Sequence, residues 1–196
     1  DSIYGSNHND TLSGLGGNDT INGGDGDDIL YGGDGDDTLK GEGGDDSIQG
    51  GEGLDTLYGG DGDDSLTGDG TGIDILYGEA GNDYLTSYAS GSLIYGGDGN
   101  DTLRGYNLDE AHGGDGDDTF SFRSFNVLDG DSGNDTVTVN TYGLDIEPTL
   151  FTGGDGDDTL IIYPNYQYWQ HVSNFEKIIF DGTWLRQSGS TVILPD

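Results

Sequence analysis

GGDGDDILY (Gly23–Tyr31), GGDGDDTLK (Gly32–Lys40), GEGGDDSIQ (Gly41–Gln49), GGEGLDTLY (Gly50–Tyr58) and GGDGDDSLT (Gly59–Thr67) follow one another without a break. This nine-residue period decides the fold. Positions one to six are mostly Gly and Asp, the residues of tight turns, because Gly admits φ > 0 at no steric cost. Positions seven to nine, such as Ile29-Leu30-Tyr31, form a short extended stretch. Strand side chains alternate, so position eight faces one way and its neighbours the other. Position eight reads Leu12, Ile21, Leu30, Leu39, Ile48, Leu57, Leu66, Leu76, Leu85, Ile94 and Leu103, always apolar. Its neighbours are mostly Thr, Ser, Asn, Gln, Lys or Tyr.

Working outward, the period extends back through GLGGNDTIN from Gly14 to a weaker GSNHNDTLS from Gly5. Forward, GDGTGIDILY from Gly68 carries one extra residue, and GEAGNDYLT, SYASGSLIY and GGDGNDTLR follow from Gly78, Ser87 and Gly96. After Gly105 the register breaks. GGDGDDTFS at Gly113, GDSGNDTVT at Gly130 and GGDGDDTLI at Gly153 stand apart, separated by irregular segments.

The chain has 196 residues, 40 Gly, no Cys, and 39 acidic residues against 5 basic ones, a net charge of −34. Such a chain repels phosphate, so a nucleic-acid partner is excluded. No run of about 18 apolar residues exists, so no membrane span is expected. Cysteine-based metal and disulfide chemistry is absent. Low hydrophobicity with high charge would ordinarily signal disorder. Here Asp and Gly are concentrated together, which points to turns and hard-cation ligands instead.

The repeat G-G-x-G-x-D-x-U-x, with U a large apolar residue, resembles the RTX (hemolysin-type calcium-binding repeat) family over roughly residues 5–160. The resemblance implies an all-β fold, a right-handed parallel β-roll in which two turns and two strands close one coil. It implies secretion, by a type I export route, as part of a larger bacterial protein acting outside the cell or at its surface. Three segments are expected: a regular roll over 1–104, an irregular, wider continuation over 105–161, and an aromatic-rich C-terminal β cap over 162–196. Irregular loops are expected at Asn107–His112 and Tyr142–Phe151.

Stacked coils would set carboxylate on carboxylate, which is unfavourable without a cation. Position six recurs as Asp10, Asp19, Asp28, Asp37, Asp46, Asp55, Asp64, Asp74, Asp83 and Asp101, with Asp118 and Asp135 in the isolated copies. Calcium takes 6–8 oxygens in flexible geometry, whereas magnesium demands a compact octahedron. The family resemblance adds backbone carbonyls of positions one to four, carried over to Gly24, Gly26, Gly33, Gly35, Gly60, Gly62, Gly97 and Gly99. Position-three acids Asp25, Asp34 and Asp61 either ligate or add negative potential. Pairing good turns one coil apart gives about eight Ca2+ ions. SYASGS (87–92) has no acid, so its site should lapse, and GSNHND is doubtful.

Catalysis is not expected, because a closed repeated turn offers no open metal position or substrate cleft. No HExxH, phosphate loop or G-x-S-x-G occurs. His8 reads as a position-four substitute. Tyr58, Tyr77 and Tyr95 share position nine two repeats apart, hence one face. Their bland reading is cross-strand packing. The sharper one is a platform for polysaccharide rings, an adhesin-like function, with Trp169 of the aromatic tail as a further contact. Tyr163, Tyr166, Tyr168, Trp169, Phe175, Phe180 and Trp184 otherwise read as a cap over the last apolar layer.

Overall fold

The computed structural model describes residues 1–139, 150–162, 172–173 and 177–180. Their regular structure is all strand, in one sheet with every pairing parallel. In chain order the strands are β1 Ser2–Tyr4, β2 Thr11–Gly16, β3 Thr20–Asp25, β4 Ile29–Asp34, β5 Thr38–Gly43, β6 Ser47–Glu52, β7 Thr56–Asp61, β8 Ser65–Gly68 and β9 Ile75–Ala80. They continue as β10 Tyr84–Ser90, β11 Leu93–Asp98, β12 Thr102–Asp115, β13 Thr119–Ser132, β14 Thr136–Val139, β15 Leu150–Thr152, β16 Thr159–Ile162, β17 Val172–Ser173 and β18 Lys177–Phe180.

Each strand up to β9 pairs with the strand two further on, not with its neighbour in sequence. Odd strands therefore stack into one wall and even strands into the other, the arrangement of a parallel β-roll. Register repeats position for position: Leu39 lies opposite Leu57, and Ile48 opposite Leu66. Where the extra residue after Gly68 intervenes, Thr56 pairs with Ile75 and Tyr58 still meets Tyr77. The insertion is absorbed in the turn.

The core is as thin as the period dictates. Ile21, Leu30, Leu39, Leu57, Leu66, Leu76, Leu85, Ile94 and Leu103 are fully buried, one per repeat. Two places further along each strand the inward position is again filled, this time by a position-one Gly, also buried at Gly32, Gly41, Gly50 and Gly59. A buried Leu contributes about 1.5–3 kcal/mol, so one per nine residues is a small hydrophobic return. Close coil-to-coil approach is set by the left-handed glycines. At Gly62 (φ +133) a Cβ would run into the Gly44 carbonyl of the coil before.

The continuation departs from expectation at Asn107–His112. That segment is not an irregular loop but the middle of β12, which runs unbroken for 14 residues. The first half of β12 pairs with β10 and the second half with β11, so one strand serves both walls. β13 repeats the arrangement one coil on. Residues 142–149 of the second expected loop lie outside the described residues; Leu150 and Phe151 belong to β15. Most of the expected cap, including Trp169, also lies outside them.

Candidate metal centre

The turns line up along the two long edges of the roll. At each edge the position-six Asp is buried, and its Oδ1 accepts the backbone N–H of the position-six residue one coil earlier. On the first edge Asp28 N–H donates to Asp46 Oδ1, Asp46 N–H to Asp64 Oδ1, and Asp64 N–H to Asp83 Oδ1, each at 2.7 Å. The series continues through Asp101, Asp118 and Asp135. On the second edge Asp19 donates to Asp37 at 2.7 Å, Asp37 to Asp55 at 2.9 Å and Asp55 to Asp74 at 3.2 Å.

The other oxygen of each carboxylate is left over. Oδ2 of Asp19, Asp28, Asp37, Asp46, Asp55, Asp64, Asp74, Asp83, Asp101, Asp118 and Asp135 is buried with no hydrogen-bond partner. A buried, unpaired carboxylate oxygen is costly. Desolvation accordingly pushes the carboxyls up, to about 6 for Asp46, Asp55 and Asp101. Asp64, Asp74, Asp83 and Asp135 rise to about 7 and Asp118 to about 8 by the same dominant cause. At neutral pH these oxygens call for a proton or a cation.

The space beside them is shaped by the position-one glycines. A Cβ on Gly59 would overlap Asp64 Oδ2 and stand 2.6 Å from the Gly78 carbonyl oxygen. At Gly32 it would overlap Asp37 Oδ2 and the Gly50 carbonyl, and at Gly96 Asp101 Oδ2 and the Gly113 carbonyl. A carboxylate oxygen of one coil and a carbonyl oxygen of the next thus converge where glycine leaves room. The donors are all hard oxygens, which fits calcium. Bound there, Ca2+ would be held by the Oδ2 column and by position-one carbonyls, and would neutralise charge that otherwise opposes stacking.

The other predicted residues lie in the same turns. Gly24, Gly26, Gly33, Gly35, Gly60, Gly62, Gly97 and Gly99 all have positive φ and bring successive coils together. Asp25, Asp34 and Asp61 end their strands with exposed side chains. Position-five acids build a separate exposed ladder: Asp45 N–H donates to Asp27 Oδ1 at 3.1 Å, and Asp63 N–H to Asp45 Oδ1 at 3.0 Å. Asp10 stands apart from the other position-six acids, because its Oδ2 accepts the N–H and hydroxyl of Ser6 at 2.7 and 2.8 Å. These bonds hold its carboxyl below the usual range.

Sequence reading overlooked three things. Ser92 stands in for an acid, its Oγ accepting Asp74 N–H at 3.1 Å. Asp158 extends the first edge, its Oδ1 accepting Asp135 N–H at 2.8 Å. The long segment between those two copies hid this register. Thirdly, the tyrosine ladder has a fourth ring. Tyr58 stacks on Tyr77 at 5.0 Å between centroids, Tyr77 on Tyr95 at 5.1 Å, and Tyr95 on His112 at 5.4 Å. Lys40 Nζ caps the other end, 5.2 Å from the Tyr58 centroid.

Among known proteins, the family model of the RTX calcium-binding nonapeptide repeat (4 copies) matches residues 4–39, 40–70, 69–89, 92–107, 109–126, 123–140 and 150–161. These matches cover well over half of the chain. No curated protein matches it.

Proposed function

The chain belongs to the RTX calcium-binding nonapeptide repeat family, and on that premise we propose that it is a module whose folding is driven by calcium outside the cell. It would serve a larger secreted protein, unfolded during export where calcium is scarce and ordered where calcium is plentiful. The supporting observation is the double column of buried, unpartnered Oδ2 atoms beside position-one carbonyls. Extracellular calcium modules work at about 10⁻⁴–10⁻³ M, and an ion that binds only the folded state adds its binding energy to folding. About eight ions would offset near half of the −34 charge. The family's fold is a structural calcium-binding one, so we assign the module no reaction. Far-ultraviolet circular dichroism tests the proposal: chelator should give a disordered spectrum and calcium a cooperative gain of β structure. Equal β content in both would refute it.

A second reading, carbohydrate or adhesin binding, draws on the ring stack from Lys40 to His112. The rings are half-buried and stacked on one another, so a sugar would meet the row of ring edges and hydroxyls. Affinity for alginate and other polysaccharides, compared between wild type, Tyr58→Ala and Tyr77→Ala, decides it. No binding, or binding indifferent to both substitutions, removes this reading. Trp169→Ala asks the same question of the tail.

A further inference from the structure

The foot of the tyrosine ladder carries a cluster unlike the calcium edges. His112 lies on the outer face of β12. Asp129, its register partner, lies on β13 in the next coil, and Asp131 sits two residues further along the same face. One ligand atom from each lies within 4.8 Å of the other two. We propose that His112, Asp129 and Asp131 form a site for a borderline divalent transition ion, with Zn2+ as the reference ion, separate from the calcium columns.

Counting donors leads there. His112 Nε2 lies 2.8 Å from Glu110 Oε1, and Nδ1 lies 3.2 Å from Asp131 Oδ2. A neutral imidazole owns a single N–H. Placed on Nε2, it satisfies Glu110 and leaves the Nδ1 lone pair facing the Asp131 and Asp129 carboxylates. Asp129 is held nearby, its Oδ1 accepting the Asp131 N–H at 3.2 Å. In the neutral ring three lone-pair donors then converge with no hydrogen between them, and either a metal cation or a second ring proton resolves the conflict.

The spacing suits a small ion. Two ligands about 2.1 Å from a tetrahedral zinc stand about 3.4 Å apart, close to the 3.2 Å between Nδ1 and Asp131 Oδ2. A ligand atom of Asp129 lies within 4.8 Å of both. Imidazole selects the ion's class, since calcium and magnesium prefer oxygen while zinc and its neighbours take nitrogen readily. Glu110, accepting from the far ring nitrogen, fixes the tautomer as metal-bound histidines require. The Tyr95 ring, 11° from parallel with the imidazole, holds its plane. His112 is about a quarter exposed, so water completes the coordination.

The test uses the full chain with saturating calcium, so that the roll is folded before zinc is added. Isothermal titration with Zn2+ should show one more equivalent in wild type than in His112→Gln. Asp129→Asn should weaken that equivalent at least tenfold, and Glu110→Gln by about 10–100-fold. In heteronuclear spectra assigned to His112, zinc should shift Nδ1 and leave Nε2 protonated. Circular dichroism in calcium should be the same for all variants, which separates a lost zinc site from a lost fold. If His112→Gln fails to fold, Asp129→Asn carries the comparison. Zinc binding equal in wild type and both variants overturns the proposal. So does a His112 ring found doubly protonated and unmoved by zinc, because the cluster is then only an ion-paired histidine.

Discussion

From β3 to β9 the roll has a carboxylate column at both edges; from β12 to β14 it has one. The lost edge can be followed residue by residue on the even wall. Gly68 pairs with Ser87, Ser87 with Gly105, Gly105 with Phe122, and Phe122 with Val139. At the start of that column a glycine leaves space that the Asp74 carboxylate enters. At its end the same inward position holds buried Phe122 and Val139, and no acid enters. Phe120 packs against Phe122 with centroids 6.1 Å apart. A corner of the coil is thus filled either by a glycine and a carboxylate, or by a large apolar side chain that needs no ion. Under the proposed function, the first solution makes folding conditional on calcium, and the second supplies an anchor that does not depend on it.

The largest expected consequence is a difference in calcium demand along the chain. In a calcium titration followed by hydrogen exchange, amides of β12–β14 should become protected at lower free calcium than those of β3–β8. A tenfold difference in midpoint is a reasonable expectation, about 1.4 kcal/mol per module segment. Coincident midpoints would mean that the two halves fold as one unit and that the contrast in cores has no energetic weight.

Substitutions probe each solution in its own half. Phe122→Ala removes a buried ring and should cost about 3–5 kcal/mol, at any calcium concentration that saturates the ions. Gly59→Ala drives a Cβ into Asp64 Oδ2 and the Gly78 carbonyl, and should cost about 1–3 kcal/mol while raising the calcium midpoint. Gly16→Ala is the control. Its Cβ would meet nothing closer than 3.8 Å, so stability should stay within about 0.5 kcal/mol. Denaturant unfolding at fixed free calcium measures all three. A Gly59→Ala protein with unchanged calcium midpoint would place the ions elsewhere than beside that glycine.

Protons are the other occupant the Oδ2 atoms accept, which gives the comparison a pH axis. Without calcium, Asp118 holds its proton in the folded state up to about 8, Asp64, Asp74, Asp83 and Asp135 up to about 7, and Asp46 and Asp55 up to about 6. The unfolded chain releases these protons near 3.8. Folding therefore takes up protons between those limits, and the metal-free roll gains stability as pH falls from about 8 towards 4. In chelator, circular dichroism should show β content rising over that window. In calcium the sign reverses, since protons compete with the ion, and the calcium midpoint should rise as pH falls. Chelator spectra that do not change between pH 8 and 4 would contradict the burial of these carboxyls.

The regular half was legible because local chemistry and global geometry share one period. Gly and Asp at fixed places dictate turns, and a lone apolar residue per repeat dictates a thin two-walled coil, so Leu30, Leu57 and Ile94 fall where the pattern puts them. The Asp column was legible for the same reason. What escaped was whatever depends on the neighbouring coil and not on the repeat itself. Asn107–His112 contains no turn signal strong enough to say whether the chain bends or runs on, and pairing with β11 made it strand. Gly59 was read as a turn residue, whereas its role is to leave a space that a carboxylate from its own repeat and a carbonyl from the next coil share. No sequence signal marks His112, because its partners are carboxylates from two places and a ring from the coil before.

The smallest effect is also the one that isolates the edge itself. Ser92 occupies the position-six place at the point where the second edge runs out, with Oγ accepting Asp74 N–H in place of a carboxylate. Ser92→Asp would add the missing acid without touching the core. Its Oδ1 can take over the Asp74 N–H, as Asp74 Oδ1 already takes that of Asp55. Its Oδ2 would then continue the column. The neighbouring inward position is Ser87 rather than glycine, however, and its side chain takes up part of the space that glycine leaves elsewhere. The expected gain is therefore modest: one additional calcium by titration and a severalfold lower midpoint for β9 and β10, with no change around Phe122. If the added carboxylate instead raised the calcium midpoint, the glycine-shaped space, and not the acid column, would be what decides where an edge can hold ions.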